Sequence, residues 1–281
     1  MKNFTLIILA FSTILSCTNS ESKNINNKTQ ETIRLEPKTA SFLEGDWVLT
    51  DYVKSIEKTL SPIKSANKLK GIVTLFIPKT NNTDTIEIGA SWNNHEGYGF
   101  RTFLKQGQKS NSLRTDLPDY DDESNYYDIG FEKIEDKIFL FLYHYNRSNK
   151  LLDKIKFTKV KVNDTENDLA EGLQQIVNEK IFSGNYLFFD STNNPIKLSF
   201  NSDGKIFGHS DFKTYYVFTD FIGGPEPTVD EISLNFRTKE SKNFVFKANK
   251  DTIFLYETVG DGLPGGEPLN YGELKYKLVR K

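Results

Sequence analysis

The chain has 281 residues, with 36 Lys and Arg against 38 Asp and Glu, so its formal net charge is −2. Nucleic-acid binding needs a basic footprint, and this near-neutral mixture of charges argues against nucleic acid as a partner. Cys17 is the only cysteine, which excludes an internal disulfide and a metal site built from several thiolates.

The first segment has the pattern of a bacterial signal peptide. Lys2 supplies a positive start, and an apolar run extends from Phe4 to Leu15. A membrane-spanning helix needs about 20 apolar residues, so this run is too short to span and suits a signal-peptide core. We expect residues 1–16 to be removed, which takes away Lys2 and moves the charge from −2 to −3.

The apolar run ends in Ile14, Leu15, Ser16 and Cys17, which resembles the lipobox of bacterial lipoproteins. The resemblance implies cleavage before Cys17 and acylation of its thiol and its new amino terminus. Several acyl chains hold a protein on a membrane far more firmly than one. By resemblance to lipoprotein sorting, the lack of Asp directly after Cys17 favours the outer membrane. The periplasmic and the external face both stay open.

Residues 17–39 are expected to form the acylated cysteine and a disordered tether. The stretch after Cys17 is rich in Asn, Lys, Ser, Thr and Glu and has almost no apolar side chains. Such a composition cannot bury enough surface to offset the loss of chain entropy on folding. The tether would hold the folded part away from the lipid surface.

A first β domain is predicted over residues 40–162. Short β-branched and aromatic runs separated by turn residues suggest a sandwich or a barrel. The predicted hairpins join residues 72–77 to 85–92 and residues 126–131 to 138–145, and residues 153–162 form an edge or closing strand. Trp47 opens the first strand and is expected to fill one end of the core.

Two motifs in this domain are weak candidates for chemistry. Asp119, Asp121 and Glu123 lie in an acidic loop whose oxygens suit a hard cation such as calcium. The loop lacks the Gly and the distal bidentate Glu of an EF-hand, so a solvated acidic loop is the preferred interpretation. His95 is followed four residues later by Gly99, so it does not form the two-histidine helix of a metalloprotease.

The spacing predicts a linker helix over residues 163–182, the only segment after the leader with a clear helical pattern. Leu169, Leu173, Ile176 and Val177 lie on one face of a 3.6-residue period. Acidic residues between positions 164 and 168 suit the first turn, where they complement the helix dipole. We expect an ordinary linker packed on a barrel edge, with a gating helix as the alternative.

A second β domain is predicted over residues 183–281. Residues 196–200 and 205–208 flank an Asp-Gly turn and predict a hairpin. Further strands are expected over residues 213–222, 231–238, 243–247 and the C-terminal run. The loops at 223–227 and 260–268 are the expected mouth of any cavity, because binding loops are carried by rigid scaffolds.

The two halves share short motifs in the same order, and together these resemble lipocalin-like domains. Gly45 and Trp47 match Gly184 and Tyr186 at first strands, and Arg280 lies near the end of the last strand. Lipocalins place an Arg there, against the aromatic residue of the first strand. The resemblance implies an all-β chain of two tandem antiparallel barrel-like or sandwich domains, joined by one short helix.

No motif typical of catalysis occurs in the sequence, and His95, His144 and His209 lie in unrelated contexts. We therefore expect a non-catalytic binding module with no cofactor. Its partner is expected to be another protein bound through loops or sheet edges. The first alternative is a small hydrophobic ligand carried inside a barrel, since 22 Phe and 13 Tyr supply large apolar faces. An envelope hydrolase is the less favoured alternative.

Overall fold

The computed structural model describes residues 43–79, 84–161, 169, 171–189, 195–222, 228–263 and 266–281. The predicted leader, the lipobox residues 14–17 and the tether lie outside the described residues. The acidic first turn expected at residues 164–168 and the loop at residues 223–227 lie outside them as well.

The first half closes into a barrel of eight antiparallel strands. Its strands are β1 (Gly45–Leu49), β2 (Ile72–Ile77), β3 (Thr85–Trp92), β4 (Glu96–Gln106), β5 (Ser112–Thr115), β6 (Tyr126–Ile134), β7 (Lys137–Tyr145) and β8 (Leu151–Val160). Each strand pairs with the next, and β8 closes the barrel by pairing with β1. The two predicted hairpins are confirmed as β2–β3 and β6–β7.

Large side chains of the chain itself occupy the centre of this barrel. Successive side chains of a strand point to opposite faces, so one alternate set from each strand points inward. Trp47, Phe131 and Phe157 belong to one buried cluster and are 1% exposed or less. The indole N–H of Trp47 donates to the carbonyl oxygen of Leu43 at 2.8 Å, which satisfies its one polar atom. The strands are thus held around a packed aromatic centre.

The second half forms an eight-stranded antiparallel sheet. Its strands are β9 (Gly184–Phe189), β10 (Ile196–Phe200), β11 (Ile206–Phe207), β12 (Tyr215–Val217), β13 (Asp230–Leu234), β14 (Lys242–Ala248), β15 (Thr252–Val259) and β16 (Asn270–Arg280). The first and last strands lie side by side, because β9 pairs with β16 as well as with β10. The outer strands β11 and β12 meet at a single bridge between Lys205 and Thr214. The predicted 196–208 hairpin is confirmed as β10–β11.

The two halves place a cation over an aromatic ring at the same register position. In the first half Trp47 is paired with Lys159 across β1 and β8, and in the second half Tyr186 is paired with Arg280 across β9 and β16. The Lys159 Nζ lies 5.4 Å from the Trp47 ring centre, and the Arg280 Cζ lies 5.0 Å from that of Tyr186. Shared strand order and shared register support the internal repeat predicted from the sequence.

The expectation of a single helix after the leader is wrong. Helix α1 (Thr50–Thr59) follows β1 directly, and α2 (Pro62–Ser65) and a 3₁₀ turn at Ala66–Lys68 come next. Tyr52, Val53 and Ile56 form the buried face of α1, and these positions are near neighbours on a helix. The helix ends at Leu60, whose φ of +50° lies in the left-handed region.

The third helix, α3 (Glu171–Ile181), packs inside a core that both halves share. Its buried side chains include three residues of the predicted apolar face, Leu173, Ile176 and Val177. The same apolar cluster contains side chains of α1, the inner residues of the second sheet and Val48 and Val160 of the first barrel. Helix α3 therefore contributes to a continuous core between the two β structures.

Polar contacts also join the two halves, and they explain a strand that is shorter than predicted. The predicted strand over residues 213–222 extends only from Tyr215 to Val217. Beyond it, the Asn94 side-chain amide donates to the carbonyl oxygen of Thr219 at 2.9 Å, and His95 lies 2.8 Å from the Asp220 carboxylate. Beyond Phe218, which still donates its N–H to the carbonyl oxygen of Glu231, the segment contacts the first barrel.

Candidate binding cleft in the second half

The residues that carry the lipocalin resemblance lie in the scaffold. Gly184 has a φ of +145°, and a Cβ added there would lie 2.6 Å from Nη1 of Arg280. The Arg280 guanidinium donates to the carbonyl oxygens of Ser183 at 2.7 Å and Ile181 at 3.2 Å. These contacts fasten the end of α3 to the first and last strands of the second sheet. Gly45, with a φ of +108°, occupies the equivalent position on β1.

The one buried carboxylate of the acidic loop, that of Asp119, is hydrogen-bonded within the protein. Asp119 is 8% exposed, and its Oδ1 accepts the backbone N–H of Asp121 at 2.9 Å. Its Oδ2 accepts from the Asn125 amide and lies 2.8 Å from His144 Nε2. Burial acts to raise the pKa of Asp119, but these hydrogen bonds outweigh it and lower the pKa. Asp121 and Glu123 are exposed.

No group of three or more His, Cys, Asp or Glu side chains in the described ranges is placed to hold a metal ion. The oxygens of Asp119 already face hydrogen-bond donors, which a bound calcium ion would have to displace. The geometry of this loop therefore favours the solvated-loop interpretation over the calcium interpretation.

The three histidines lie in three different environments. The hydrogen bond and the charge of Asp220 raise the pKa of His95 at the junction of the halves. The His144 ring stacks on Tyr127 with ring centres 4.4 Å apart, at the end of the first barrel. His209 follows β11 and lies in a cleft of the second half.

The cleft opens at one end of the second sheet and has a volume of about 380 Å³. Phe188 on β9, Tyr276 on β16 and Phe212 in the β11–β12 connection form its apolar floor. The Phe188 and Tyr276 rings stack at 4.7 Å, and the Phe212 ring meets Tyr276 edge-on at 5.9 Å. Because two of these residues are in paired strands, the floor is held by the sheet.

Two apolar side chains at the rim of the cleft are exposed. Ile196 at the start of β10 is 38% exposed and Leu274 on β16 is 45% exposed. They extend the apolar floor outward to the protein surface. Exposed apolar side chains that line a cleft are consistent with a surface that binds another molecule.

Polar groups surround this apolar centre. The Nδ1 of His209 accepts the backbone N–H groups of Asp211 at 3.0 Å and Phe212 at 3.2 Å, so the neutral ring carries its proton on Nε2. The Lys242 Nζ lies 5.6 Å from the centre of the Phe212 ring. Lys275 forms ion pairs with Glu257 at 2.9 Å and with Glu273 at 2.8 Å. The site thus combines an apolar floor with hydrogen-bonding and charged groups at its edge.

The loop predicted at residues 223–227 as a cavity mouth lies outside the described residues, and this cleft is lined by a different segment. None of the lining residues comes from the described parts of the 260–268 loop. The segment from His209 to Phe212 supplies four lining residues instead, directly after Gly208, which has a φ of +92°. A second cleft of about 380 Å³ lies between the halves and includes Phe221 and Ile222, adjacent to the predicted 223–227 loop.

No helix among the described residues is long and apolar enough to cross a membrane. Comparison of the chain with protein-family models, with curated proteins and with solved structures gives no match.

Proposed function

We propose that this chain is a non-catalytic binding module of the bacterial cell envelope, held on the outer membrane by lipid on Cys17. The apolar run before Ile14, Leu15, Ser16 and Cys17 supports the anchor. We further propose that the two β structures are lipocalin-like domains connected through α3. The shared strand order and the matched pairs Trp47–Lys159 and Tyr186–Arg280 support this assignment.

The binding partner that the cleft suits best is another protein, which places an apolar side chain over the floor formed by Phe188, Phe212 and Tyr276. The observation that carries this proposal is the continuity of the buried aromatic floor with the exposed Ile196 and Leu274. A shallow aromatic pocket with an apolar edge and a polar rim is the usual setting of an interface hot spot. Since the floor is positioned by paired strands, binding requires little rearrangement of this surface.

Site-specific photocrosslinking in intact cells tests the protein partner. A photoreactive phenylalanine analogue at Leu274 should give a discrete crosslinked product. The matched control is the same analogue at Ile138, which is 37% exposed on β7 of the first barrel. Lys242→Glu, an exposed change at the rim, should reduce the product formed from position 274. Equal crosslinking from positions 274 and 138 would contradict the assignment of the cleft.

The second candidate is a small amphipathic ligand in the same cleft. Its volume of about 380 Å³ falls at the lower end of the range for small-molecule sites, roughly 300–1,000 Å³. Native mass spectrometry of the gently purified chain, before and after organic extraction, separates the two candidates. An additional mass that disappears on extraction favours a ligand carrier, and a bare mass favours the protein partner.

The lipid anchor has its own test. Cells grown with a labelled fatty acid should incorporate the label into the chain and retain the chain in the outer-membrane fraction. Cys17→Ala should abolish both the labelling and the retention. Retention of an unlabelled Cys17→Ala chain would disprove the proposed anchor. Protease treatment of intact cells then reports which face of the membrane carries the folded part.

A further inference from the structure

Three aromatic rings form a corner at the end of the first barrel that carries the acidic loop. Trp92 ends β3, Tyr98 lies on the neighbouring strand β4, and Tyr120 lies in the loop between β5 and β6. The Trp92 ring meets Tyr98 at 6.4 Å and 66°, and it meets Tyr120 at 6.4 Å and 84°. Trp92 is 36% exposed and Tyr120 is 75% exposed, so ring faces of the corner are accessible.

The corner is held in place on both sides of Tyr120. Leu117 is 4% exposed and packs in the barrel core, and Asp119 receives hydrogen bonds from Asn125 and the backbone of Asp121. The cross-strand pair of Ala90 and Tyr98 fixes the other side. A surface that is ordered before binding loses less entropy when a ligand arrives.

The corner differs from aromatic rings on the outer wall of the barrel that are covered by a cation of the chain. On the outer wall, Lys156 Nζ lies 3.4 Å from the Phe139 ring centre and Lys154 Nζ lies 4.0 Å from that of Phe141. Within the described residues, no Lys or Arg lies over the rings of Trp92, Tyr98 or Tyr120. The exposed rings of Trp92 and Tyr120 are therefore available to a cation from outside, while the partly buried Tyr98 supports Trp92 from the barrel side.

The charges around the corner also favour a cation. Tyr120 is flanked in the loop by Asp119, Asp121, Asp122 and Glu123. The last three of these are exposed, and hydrogen bonds from Ser124 lower the pKa of Asp122, which favours its negatively charged form. Carboxylates beside aromatic faces attract a positive ligand and repel an anion.

We propose that the corner formed by Trp92, Tyr98 and Tyr120 binds a small organic cation of the trimethylammonium type. Its methylated face would contact the rings, while the exposed carboxylates of the loop supply long-range attraction. Aromatic corners recognise such cations by cation–π attraction, without requiring a hydrogen bond from the ligand. The site is separate from the cleft of the second half and does not depend on its function.

Tryptophan fluorescence of the purified full chain tests this proposal. The chain has two tryptophans, and Trp47 is only 1% exposed. A change in fluorescence emission caused by a ligand that binds at the surface therefore reports on Trp92. Titration with choline should change the emission in a saturable way, with a Kd on the order of 1 mM. Sodium chloride at the same ionic strength is the control and should give no saturable change. The neutral isostere 3,3-dimethylbutan-1-ol should bind at least about tenfold more weakly, because it lacks the charge.

Two variants at one exposed position complete the test. Tyr120→Ala should weaken choline binding severalfold, and Tyr120→Phe, which keeps the ring, should preserve it. Because Tyr120 is an exposed loop residue, neither substitution is expected to disrupt the fold. The proposal is overturned if choline gives no saturable change, if the neutral isostere binds equally well, or if Tyr120→Ala binds like the parent chain. Glycerophosphocholine distinguishes the source, since binding as tight as choline assigns the site to a lipid headgroup and weaker binding assigns it to a free cation.

Discussion

Replacing Asp230 with Asn is expected to stabilise the protein at neutral pH. Asp230 begins β13 and is 6% exposed, and its carboxylate accepts from Ser61 Oγ at 2.5 Å and from the Ile63 N–H at 2.8 Å. Burial raises the pKa of Asp230 to about 6, although these hydrogen bonds and the charge of Lys64 act in the opposite direction. Asn keeps the shape of the side chain and removes the buried charge.

The sign and size follow from linkage between proton binding and folding. Because the pKa of Asp230 is higher in the folded state than its ordinary value of 3.8, the folded state binds the proton more tightly. The contribution to the free energy of unfolding is therefore greatest below about pH 4 and falls as the pH rises through about 6. One pKa unit corresponds to about 1.36 kcal/mol, so Asp230→Asn should be more stable at pH 7.5 by up to about 3 kcal/mol.

Urea unfolding followed by fluorescence between about pH 4 and pH 8 measures this difference. The advantage of Asp230→Asn should shrink as the pH falls and disappear near pH 4. Asp251→Asn is the matched control, because Asp251 is exposed at the turn between β14 and β15. Parallel stability profiles for the parent chain and Asp230→Asn would refute the buried-carboxylate account.

Two further predictions concern packing and use the same unfolding measurement. Arg280→Ala removes two hydrogen bonds and the contact with Tyr186, so it should cost about 2–3 kcal/mol. Lys159→Ala removes the cation over Trp47 and should cost about 0.5–2 kcal/mol, and an unchanged stability in both variants would contradict a stabilising role of these cation–ring contacts. Phe182→Ala empties a site that is 0% exposed among aromatic rings and should cost about 3–5 kcal/mol, whereas a loss below about 1 kcal/mol would contradict that packing.

Local sequence patterns predicted much of the β structure because they depend on neighbouring residues. The β-branched and aromatic run of residues 72–77, the following turn cluster and the Asp203-Gly204 turn identify hairpins directly. Helix α1 was missed because its apolar face is short, with Tyr52, Val53 and Ile56 as its buried apolar side chains. Its stability comes from packing against α3 and the first barrel, which a local pattern does not record.

The cleft could not be predicted for a related reason. Its floor joins Phe188, Phe212 and Tyr276, which are separated by up to 88 positions in the chain. Only the pairing of β9 with β16 brings the first and last of them together. Glycine- and proline-rich segments such as 223–227 and 260–268 predict turns from their composition, but composition carries no information about which strands become neighbours.

The most direct test of the proposed binding module is lysine-directed crosslinking mass spectrometry on intact envelopes. Lys242 and Lys275 lie at the cleft, whereas Lys133 and Lys137 lie on the first barrel and serve as internal comparators. We predict that peptides of one partner protein are linked to Lys242 and Lys275 and that Lys242→Glu reduces the link to Lys275. Partner peptides linked only to Lys133 and Lys137 would contradict the assignment of the cleft as the binding site.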